Sequence, residues 1–371
     1  MATRQHDTQV SIGTRVLGAL GRVAVSILVP LLAFGVLRQG FIFLRDADAP
    51  KWVIVLVAIV WGVGGVAMLY AVANWVVERL PGRATKHLQP YVFVGPAAAI
   101  LIWYLALPTL RTFWASLQDA NSFEFVGLKN YVYAFTDRSM LVVFRNNLMW
   151  VVIGTLFSVA IGLLVAVLAD RSRFERTAKA LIFLPMAISF VGAGVIWNFV
   201  YEVRDTADPQ IGLLNAFWVG WFGGEPQAWT AFNQPLNNLF LILIVVWLQS
   251  GFAMVLFSAA IKGVPTEQLE AARVDGASEL QTFFRVVIPA IIGTILTVTT
   301  TVVIFTLKIF DVVWVMTGGQ FGTDVIATQF FRQFFVAGNN GRGSAIAIVL
   351  LVAVIPVMIY NLGQFRQRET F

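Results

Sequence analysis

Long apolar runs and short polar segments alternate along almost the whole chain. Several runs reach or exceed the roughly 18–20 residues that cross a bilayer as a helix. Backbone N–H and C=O groups find no water in lipid, so spanning segments must be helices or closed barrels, and these runs are too long for barrel strands. The pattern therefore predicts an all-α polytopic membrane protein with about eight transmembrane helices. The predicted spans are residues 16–37, 52–77, 91–110, 148–169, 180–201, 239–261, 286–310 and 344–362.

The first of these spans is the least regular. Arg22 lies inside it and Pro30 interrupts it. An arginine near a helix end can extend its charged group to the lipid headgroups. No convincing small-residue cleavage site follows the run, as a removed leader would need, so we expect this helix to be retained.

The Lys and Arg positions predict the orientation of the spans. With the N-terminus inside, the cytoplasmic segments hold 14 Lys and Arg in 71 residues, whereas the outer loops hold 10 in 121. Basic residues are enriched in cytoplasmic loops, so both termini are expected in the cytoplasm, and "DRSRFERTAK" (170–179) is the clearest anchor. The net charge of +6 then reflects topology in the lipid bilayer, and no nucleic-acid partner is predicted.

Composition excludes several classes of site. Only 12% of residues are charged, against roughly 25% in soluble domains. The chain has no Cys and only two His, His6 and His87, so disulfides, thiolate metal sites and Cys nucleophiles are excluded. No Lys follows a Gly, so a Walker A loop is absent, and there is no HExxH or GxSxG motif. We therefore predict no catalytic residues, no metal site, no cofactor in this chain and no enzymatic activity.

A polar insert, "VPTEQLEAARVDGASELQTFFRVVIP" (264–289), separates the sixth and seventh spans. Pro265 suits a first helical turn, and Gly276 permits a bend. Ser278 with Gln281 three residues later matches a capping box that starts a second helix, and the next span is expected to begin at Pro289. The pattern predicts an elbow on the cytoplasmic face. This elbow is either a plain connector or, because its alanine-rich surface suits close packing, a contact for another subunit.

The insert resembles the EAA motif of ABC-importer permeases, in which EAA is followed at fixed spacing by Gly, two aliphatic residues and Pro. The matching positions are Glu270, Ala271, Ala272, Gly276, Val286, Ile288 and Pro289. Other segments are similar to carbohydrate-type, maltose-permease-F-like members of that family. These segments are "FVGLKNYVYAF" (125–135), "NNLMWVVIGTLFSVAIGLLVAVL" (146–168), "LPMAISFVGAGVIWNFVY" (184–201), "GLLN" (212–215) and "FDVVWVMTGG" (310–319). The outer loop 111–147 departs from the enteric maltose permease, since it is too short for that protein's large extracellular domain.

The resemblance implies a six-helix core of the type I, MetI-like importer fold at residues 91–363. A tail and two extra helices precede it at 1–90, and a cytoplasmic tail follows at 364–371. The chain would form half of a sugar pathway in a bacterial or archaeal cytoplasmic membrane. Its implied partners are a second homologous permease, a cytoplasmic ABC ATPase dimer that binds ATP and Mg, and an extracytoplasmic solute-binding protein. The implied ATPase-coupling residues are Glu270, Ala271, Ala272, Asp275, Gly276, Ala277 and Pro289.

The resemblance also implies a sugar site at mid-membrane, between the fifth, sixth and seventh spans. Sugars are bound by amide or hydroxyl groups together with an aromatic surface, and "WLQSGF" (247–252) supplies both. Each polar residue has an alternative role in joining helices, and Phe252 can face lipid. Lys308 and Asp311 are expected on one helix face, either as a capping ion pair or as a polar element of the pathway. The implied pathway residues are Met186, Asn198, Gln249, Ser250, Phe252, Thr306 and Lys308.

Two other functions compete with a sugar permease. An ion-coupled secondary carrier for a small polar solute calls for carboxylates at mid-membrane, but the predicted spans contain no central Asp or Glu. A membrane enzyme or a scaffold would leave the EAA pattern unexplained. The Trp-rich stretch "NAFWVGWFGGEPQAW" (215–229) predicts an interfacial belt, and loops 202–238 and 311–343 are expected to contact the extracytoplasmic binding protein.

Overall fold

The structure, a computed structural model, describes residues 12–80, 82–231 and 233–368, with side chains described from residue 25 to residue 363. These residues fold as helices joined by short connections, with an isolated antiparallel bridge between Gln118 and Phe125. The predicted all-α class is confirmed. The predicted cytoplasmic residues 1–11 and 369–371 lie outside the described part of the chain.

Residues 1–109 make the first of two compact units. Its helices are α1 (Ile12–Asp46), α2 (Lys51–Glu78) and α3 (Gly82–Leu101). The indole Nε1 of Trp61 donates to the carbonyl oxygen of Leu37 (3.0 Å), and the Tyr70 hydroxyl donates to that of Phe93 (3.0 Å). These bonds join α2 to its two neighbours, while most large apolar side chains of the three helices are exposed, as contact with lipid requires.

Residues 110–371 make the second unit. The sequence-based division between residues 90 and 91 follows the six-helix core of the resembled family, and it stays a prediction. From α4 onward the helices are α4 (Leu107–Ser116), α5 (Lys129–Thr136), α6 (Arg138–Met149), α7 (Thr155–Asp170), α8 (Glu175–Phe183), α9 (Phe190–Val200), α10 (Leu213–Phe222), α11 (Asn237–Lys262), α12 (Thr266–Val274), α13 (Glu279–Thr282), α14 (Ile288–Leu307), α15 (Asp311–Thr317), α16 (Ile326–Phe331) and α17 (Asn340–Arg368).

The described residues contain seven helices that are long and apolar enough to cross a membrane, and the pair α8–α9 makes an eighth if it counts as one bent span. Eight spans agree with the sequence prediction. Three of the long spans owe their length to π-helical turns that join consecutive helices without a break. These turns are Ile102–Ala106, Trp150–Gly154 and Phe283–Val287.

The fifth predicted span, residues 180–201, is broken rather than continuous. Its halves are bent by 103°. Leu184–Ala187 tighten into a 3₁₀ turn, and Ser189 then caps α9 by accepting a hydrogen bond from the Gly192 N–H on its Oγ (3.0 Å). The break therefore lies after the turn that contains Pro185, because Ser189 supplies the cap that starts a new helix.

The central helix of the second unit is α11, which is buried along most of its length. Its amino-terminal half packs on Trp150 and on Val312 and Val313 of α15. Its carboxyl-terminal half packs on Ala166 of α7 and Val298 of α14. The helix α11 also contacts α8 of the broken span and α14, and the candidate site lies where these three elements meet.

Asparagine side chains fix the connection between α15 and α16. Asn146 Nδ2 donates to the carbonyl oxygens of Gly322 (2.7 Å) and Asp324 (2.8 Å). Asn237 Nδ2 donates to the carbonyl oxygen of Phe321 (2.9 Å). Both asparagines are buried, so the connection is held by uncharged bonds from two separate helices.

An ion pair lies beside the same connection. Arg332 Nη2 lies 3.3 Å from Asp324 Oδ1 and donates to the carbonyl oxygen of Gly318 (2.7 Å). Burial raises the pKa of the Asp324 carboxyl above its ordinary value, and the charge of Arg332 opposes that rise. The guanidinium therefore both fastens the loop and compensates a buried carboxylate.

We expect Asn146→Ala to lower the free energy of unfolding by about 2 kcal/mol, because two carbonyls lose their buried donor. Thermal unfolding of the purified protein in detergent, followed by tryptophan fluorescence, measures the change. Asn198→Ala is the matched control, since Asn198 is exposed and makes no side-chain hydrogen bond in the described structure, and it should shift stability by less than about 0.5 kcal/mol. Equal unfolding midpoints for the two variants would contradict this role of Asn146.

Candidate functional site

The polar insert folds as an elbow, and its bend is a Schellman motif. α12 ends at Val274, and Gly276 follows with φ +77°. The Ala277 N–H donates to the carbonyl oxygen of Ala272 (2.9 Å), and the Gly276 N–H donates to that of Arg273 (3.0 Å). These are the two bonds that define the motif. The bend needs a left-handed backbone at position 276, which glycine adopts without a Cβ penalty.

The second arm of the elbow starts at the capping box that the sequence predicted. The Ser278 Oγ accepts from the Gln281 N–H (3.3 Å), and the Gln281 Oε1 accepts from the Ser278 N–H (2.8 Å). The expectation that a new span begins at Pro289 is wrong, because α13, the π-helical turn Phe283–Val287 and α14 form one continuous helix. The π turn ends at Val287, two residues before the proline, where a shifted bonding pattern accommodates the missing N–H.

The elbow projects from an apolar base. Leu269 packs on a buried cluster of Val264, Val287 and Ile291, and no side chain of α12 is itself buried. The free side of the elbow therefore carries the residues that the sequence assigned to coupling. The exposed ones are Glu270, Ala271, Asp275, Gly276 and Pro289, and the half-buried ones are Ala272 and Ala277.

A cavity of about 400 Å³ lies between the broken span, α11 and α14. Phe190 and Phe305 contact each other in its wall, with ring centroids 4.7 Å apart. The described lining contains no carboxylate, and its aromatic and polar members are Phe190, Phe252, Phe305, Gln249, Thr301 and Lys308. Aromatic faces suit the C–H surfaces of a sugar-like solute, while the amide, hydroxyl and ammonium groups can bond its hydroxyls.

The structure gathers some of the predicted pathway residues at this cavity and places others elsewhere. Ser250 is buried and donates to the carbonyl oxygen of Trp247 (3.3 Å). Thr306 is buried and bonds carbonyl oxygens of its own helix, and Asn198 is exposed on α9. The predicted residues that line the cavity are Met186, Gln249, Phe252 and Lys308.

Helix geometry explains which residues the sequence assignment missed. On α14 the cavity is lined by Thr301, Ile304 and Phe305, and then by Lys308 at the end of the helix. These positions follow the i, i+3, i+4, i+7 spacing of one helix face. Thr306 lies two residues before Lys308 and so points to another side. Applying that spacing backward from Lys308 would have identified Thr301 and Phe305. Phe190 could not be identified in this way, because its place at the cavity depends on the break in the fifth span, which the sequence did not predict.

Lys308 and Asp311 do not share a helix face as predicted. α14 ends at Leu307, Phe310 adopts φ −136° and ψ −59°, and Asp311 begins α15. The ion pairs of the described residues do not include one between Lys308 and Asp311. The interpretation as a capping ion pair is therefore wrong, and the Lys308 side chain lies at the cavity instead.

Comparison with known protein families gives a match over more than half of the chain. The family described as "Binding-protein-dependent transport system inner membrane component" matches residues 158–365. The matched region contains the broken span, α11, the elbow and α14.

Sequence relatives match along most of their own lengths. The osmoprotective compounds uptake permease protein GgtC of Synechocystis sp. is 53% identical to this chain, over 75% of this chain and 99% of its own length. The alpha-glucoside transport system permease protein AglF of Rhizobium meliloti is 45% identical, over 76% of this chain and 83% of its own length.

Solved structures share the fold. A chain in the structure of a bacterial ABC transporter involved in the import of the acidic polysaccharide alginate superposes with a TM-score of 0.65 at 20% identity, covering 76% of this chain and 99% of that one. A structure of a bacterial alginate ABC transporter in complex with an alginate pentasaccharide-bound periplasmic protein gives a TM-score of 0.65 at 19% identity, over 76% and 95% of the two chains. At this level of identity the likeness concerns the fold alone.

Proposed function

Because this chain belongs to the family of binding-protein-dependent transport system inner membrane components, we propose that its cavity carries a neutral, glucoside-type solute across the membrane. The resemblance to carbohydrate ABC-importer permeases is confirmed, and so are the MetI-like fold and the role of the chain as a translocation subunit. The proposal adds the solute, the residues that bind it and the partners that drive its movement.

The chemistry of the cavity is the observation that carries the solute assignment. Gln249 and Thr301 offer hydrogen bonds to hydroxyl groups, and the Phe190 and Phe305 rings offer apolar faces. Aromatic rings also attract quaternary ammonium groups, but the Lys308 ammonium at the same cavity repels a cation. A glucoside is neutral and rich in hydroxyls, and it also suits relatives named for an alpha-glucoside and for osmoprotective compounds.

The elbow is the proposed contact with a cytoplasmic ATPase dimer. Its exposed Glu270 and its projection from an apolar base support insertion into a groove of that partner. ATP and Mg would bind to the ATPase subunits, and this chain would contribute no catalytic or metal-binding residue. With the elbow in the cytoplasm, both termini of this inner-membrane protein lie on the cytoplasmic side, as the Lys and Arg distribution predicts.

Two further partners complete the proposed transporter. A second, homologous permease would close the open side of the cavity and form the other half of the pathway. A solute-binding protein outside the membrane would deliver the solute to the outer loops 202–238 and 311–343. The description of the family as binding-protein-dependent supports this partner, as does the fold neighbour solved with a periplasmic protein.

Reconstitution tests the proposed function. The chain is assembled in liposomes with its second permease, its ATPase and its binding protein, and uptake of a labelled α-glucoside is compared with uptake of glycine betaine. We expect glucoside uptake that depends on ATP and stimulates its hydrolysis. Preferential uptake of betaine would overturn the solute class but not the transport role, whereas failure of every solute to stimulate ATP hydrolysis would overturn the coupling itself.

Gln249→Ala should raise the KM for glucoside uptake about fivefold, since one amide–hydroxyl hydrogen bond contributes about 1 kcal/mol. The initial rate of uptake at increasing solute concentration measures this change. Thr306→Val is the matched control, because Thr306 is buried away from the cavity and bonds its own helix. The cavity assignment fails if the control raises the KM and Gln249→Ala does not.

A further inference from the structure

Two consecutive residues at the end of α7 contact different parts of the second unit. Asp170 Oδ1 lies 2.5 Å from Lys179 Nζ of α8 and accepts a hydrogen bond from Ser258 Oγ of α11 (2.7 Å). Arg171 Nη2 lies 3.1 Å from Glu279 Oε2, at the start of the second arm of the elbow. One end of α7 therefore touches the broken span, the central helix and the elbow.

The contacts of Asp170 belong to a small ionic cluster, which we call the inner clamp. Its members are Asp170, Glu175, Lys179, Ser258 and Lys262. Lys179 pairs with Glu175 one helical turn earlier (2.6 Å), and Glu175 pairs with Lys262 of α11. The side chains of Asp170 and Lys179 are only 12% and 19% exposed, so their pair is largely withdrawn from water and loses little strength to solvent screening.

Local helix stability does not explain the position of Asp170. A carboxylate at the carboxyl-terminal end of a helix is disfavoured by the helix dipole. Its Oδ2 is buried and has no hydrogen-bond partner in the described structure. A residue that destabilises its own helix is expected to have a role outside that helix. For Asp170 this role is to contact Lys179 of α8 and Ser258 of α11.

The inner clamp joins two of the three elements that carry the cavity walls, the broken span and α11. α8 leads through the 3₁₀ turn to Met186 and Ile188, which line the cavity. α11 carries Gln249 and Phe252 on the cavity side and Ser258 in the clamp. Fixing α8 to α11 through Asp170 therefore fixes the distance between the two walls.

Arg171 reaches both arms of the elbow through one carboxylate. Glu279 pairs with Arg171 by one oxygen and lies 3.3 Å from Arg273 of α12 by the other. The Arg171 and Glu279 side chains are 64% and 60% exposed. A pair this exposed contributes little to stability. Its removal should therefore leave the fold intact and affect only the attachment of the elbow to the end of α7.

We infer that Asp170 and Arg171 are positioning residues through which displacement of the elbow changes the spacing of the cavity walls. Arg171 is attached to the elbow, Asp170 is attached to α8 and α11, and the end of α7 carries motion from one to the other. This inference rests on the proposed coupling of the elbow to an ATPase.

Three variants of the inner clamp in the reconstituted complex distinguish a role in carrying elbow motion to the cavity walls from a role in stability. They are Asp170→Asn, Lys179→Met and the double variant. Each single change removes the nearest ion-pair partner of a half-buried charge and leaves only Glu175 beside Lys179 or Lys262 beside Asp170, which destabilises the chain, whereas removing both charges is closer to neutral. We expect the double variant to recover the wild-type unfolding midpoint but to retain at least a threefold loss in the ratio of solute-stimulated to basal ATP hydrolysis. Recovery of both quantities would show a purely structural clamp and would overturn the inference.

The Arg171 contact has its own test. Arg171→Gln should lower the same ratio at least threefold without changing the unfolding midpoint. Arg176→Gln is the matched control, since Arg176 is exposed in the same segment and has no ion-pair partner in the described structure. An unchanged ratio in Arg171→Gln, or an equal loss in both variants, would overturn the role of Arg171.

The absence of Cys from the chain allows a rescue experiment. In a variant with both Arg171→Cys and Glu279→Cys, the reduced protein should lose stimulation, and a short reagent that bridges the two thiols reversibly should restore it. Failure of the bridge to restore stimulation would count against transmission through this contact. A wild-type complex that shows no stimulation would overturn the proposed function together with this inference, whereas a stimulated wild type with unaffected variants would overturn the inference alone.

Discussion

Gly276→Val should reduce solute-stimulated ATP hydrolysis by the assembled transporter at least about tenfold, equivalent to about 1.4 kcal/mol. Position 276 has φ +77°, a conformation that costs an L-residue about 1–2 kcal/mol and is a genuine outlier for a β-branched side chain. α12 would then end in another geometry, and the bond from the Ala277 N–H to the carbonyl of Ala272 would be lost. Glu270 would no longer face the proposed ATPase partner at the same angle. Hydrolysis and ATPase retention on the affinity-purified complex measure the effect.

A matched variant isolates the backbone as the cause. A Cβ at position 276 meets no atom within 4 Å, so the first side-chain atom of valine or of asparagine has open space, and the two variants differ in how well they tolerate the left-handed backbone. Asparagine tolerates the left-handed region, and Gly276→Asn should therefore keep most of the stimulation. If the valine variant couples as well as the asparagine variant, the Schellman bend has no part in coupling.

Gly251→Ala should lower the free energy of unfolding by about 3 kcal/mol or more, at the upper end of the cost of overpacking a core. An added Cβ would lie 2.5 Å from the carbonyl oxygen of Ile182 and 3.0 Å from the Cα of Phe183. Both obstacles are backbone atoms, so a change of rotamer cannot relieve them. We expect a large loss of monodisperse protein in detergent and a lowered unfolding midpoint for what remains.

Gly154→Ala is the control for this substitution. It also adds a methyl group to a buried helical glycine, but there the new Cβ lies 3.4 Å from Thr306 Cγ2 and 3.7 Å from Ile242 Cγ2, in ordinary contact with side chains. Its cost should stay below about 1 kcal/mol. Similar losses from the two variants would show that close approach between α11 and the broken span is not what Gly251 provides.

The sequence was sufficient for features that a few neighbouring residues determine. Span length and apolarity predict the membrane helices directly, since both are local properties. The elbow was equally predictable, because Pro265, Gly276 and the Ser278–Gln281 pair each specify one step of its path. These signals do not depend on what the segment packs against.

The broken span and the cavity needed more than local signals. Pro185 lies inside the predicted fifth span, but Ser189 is the residue that starts a new helix, and serine occurs in too many other settings to mark a break by itself. Membership in the cavity depends on which face of a helix turns inward. Ser250 and Thr306 have suitable chemistry, yet they lie one or two residues away from the faces of Gln249 and Lys308.

The segment 170–179 shows a second reason why the structure differs from what local sequence patterns predict. Its basic residues predicted a solvated anchor on the cytoplasmic side, and Arg171 and Arg176 are indeed exposed. Lys179 is instead largely buried, because Ser258 and Lys262, some eighty positions away in the chain, complete a cluster around it. Whether a charge is solvated or paired depends on such distant residues, which local patterns do not reveal.

The two ends of the second unit are fastened by bonds that respond differently to dissolved salt. At the end assigned to the outside, Asn146 and Asn237 hold the loop mainly by amide-to-carbonyl hydrogen bonds, which ions do not screen. At the end assigned to the cytoplasm, the exposed pair between Arg171 and Glu279 weakens as ionic strength rises. A rise in ionic strength should therefore loosen the contact between α7 and the elbow, while the hydrogen bonds of Asn146 and Asn237 continue to hold the connection between α15 and α16.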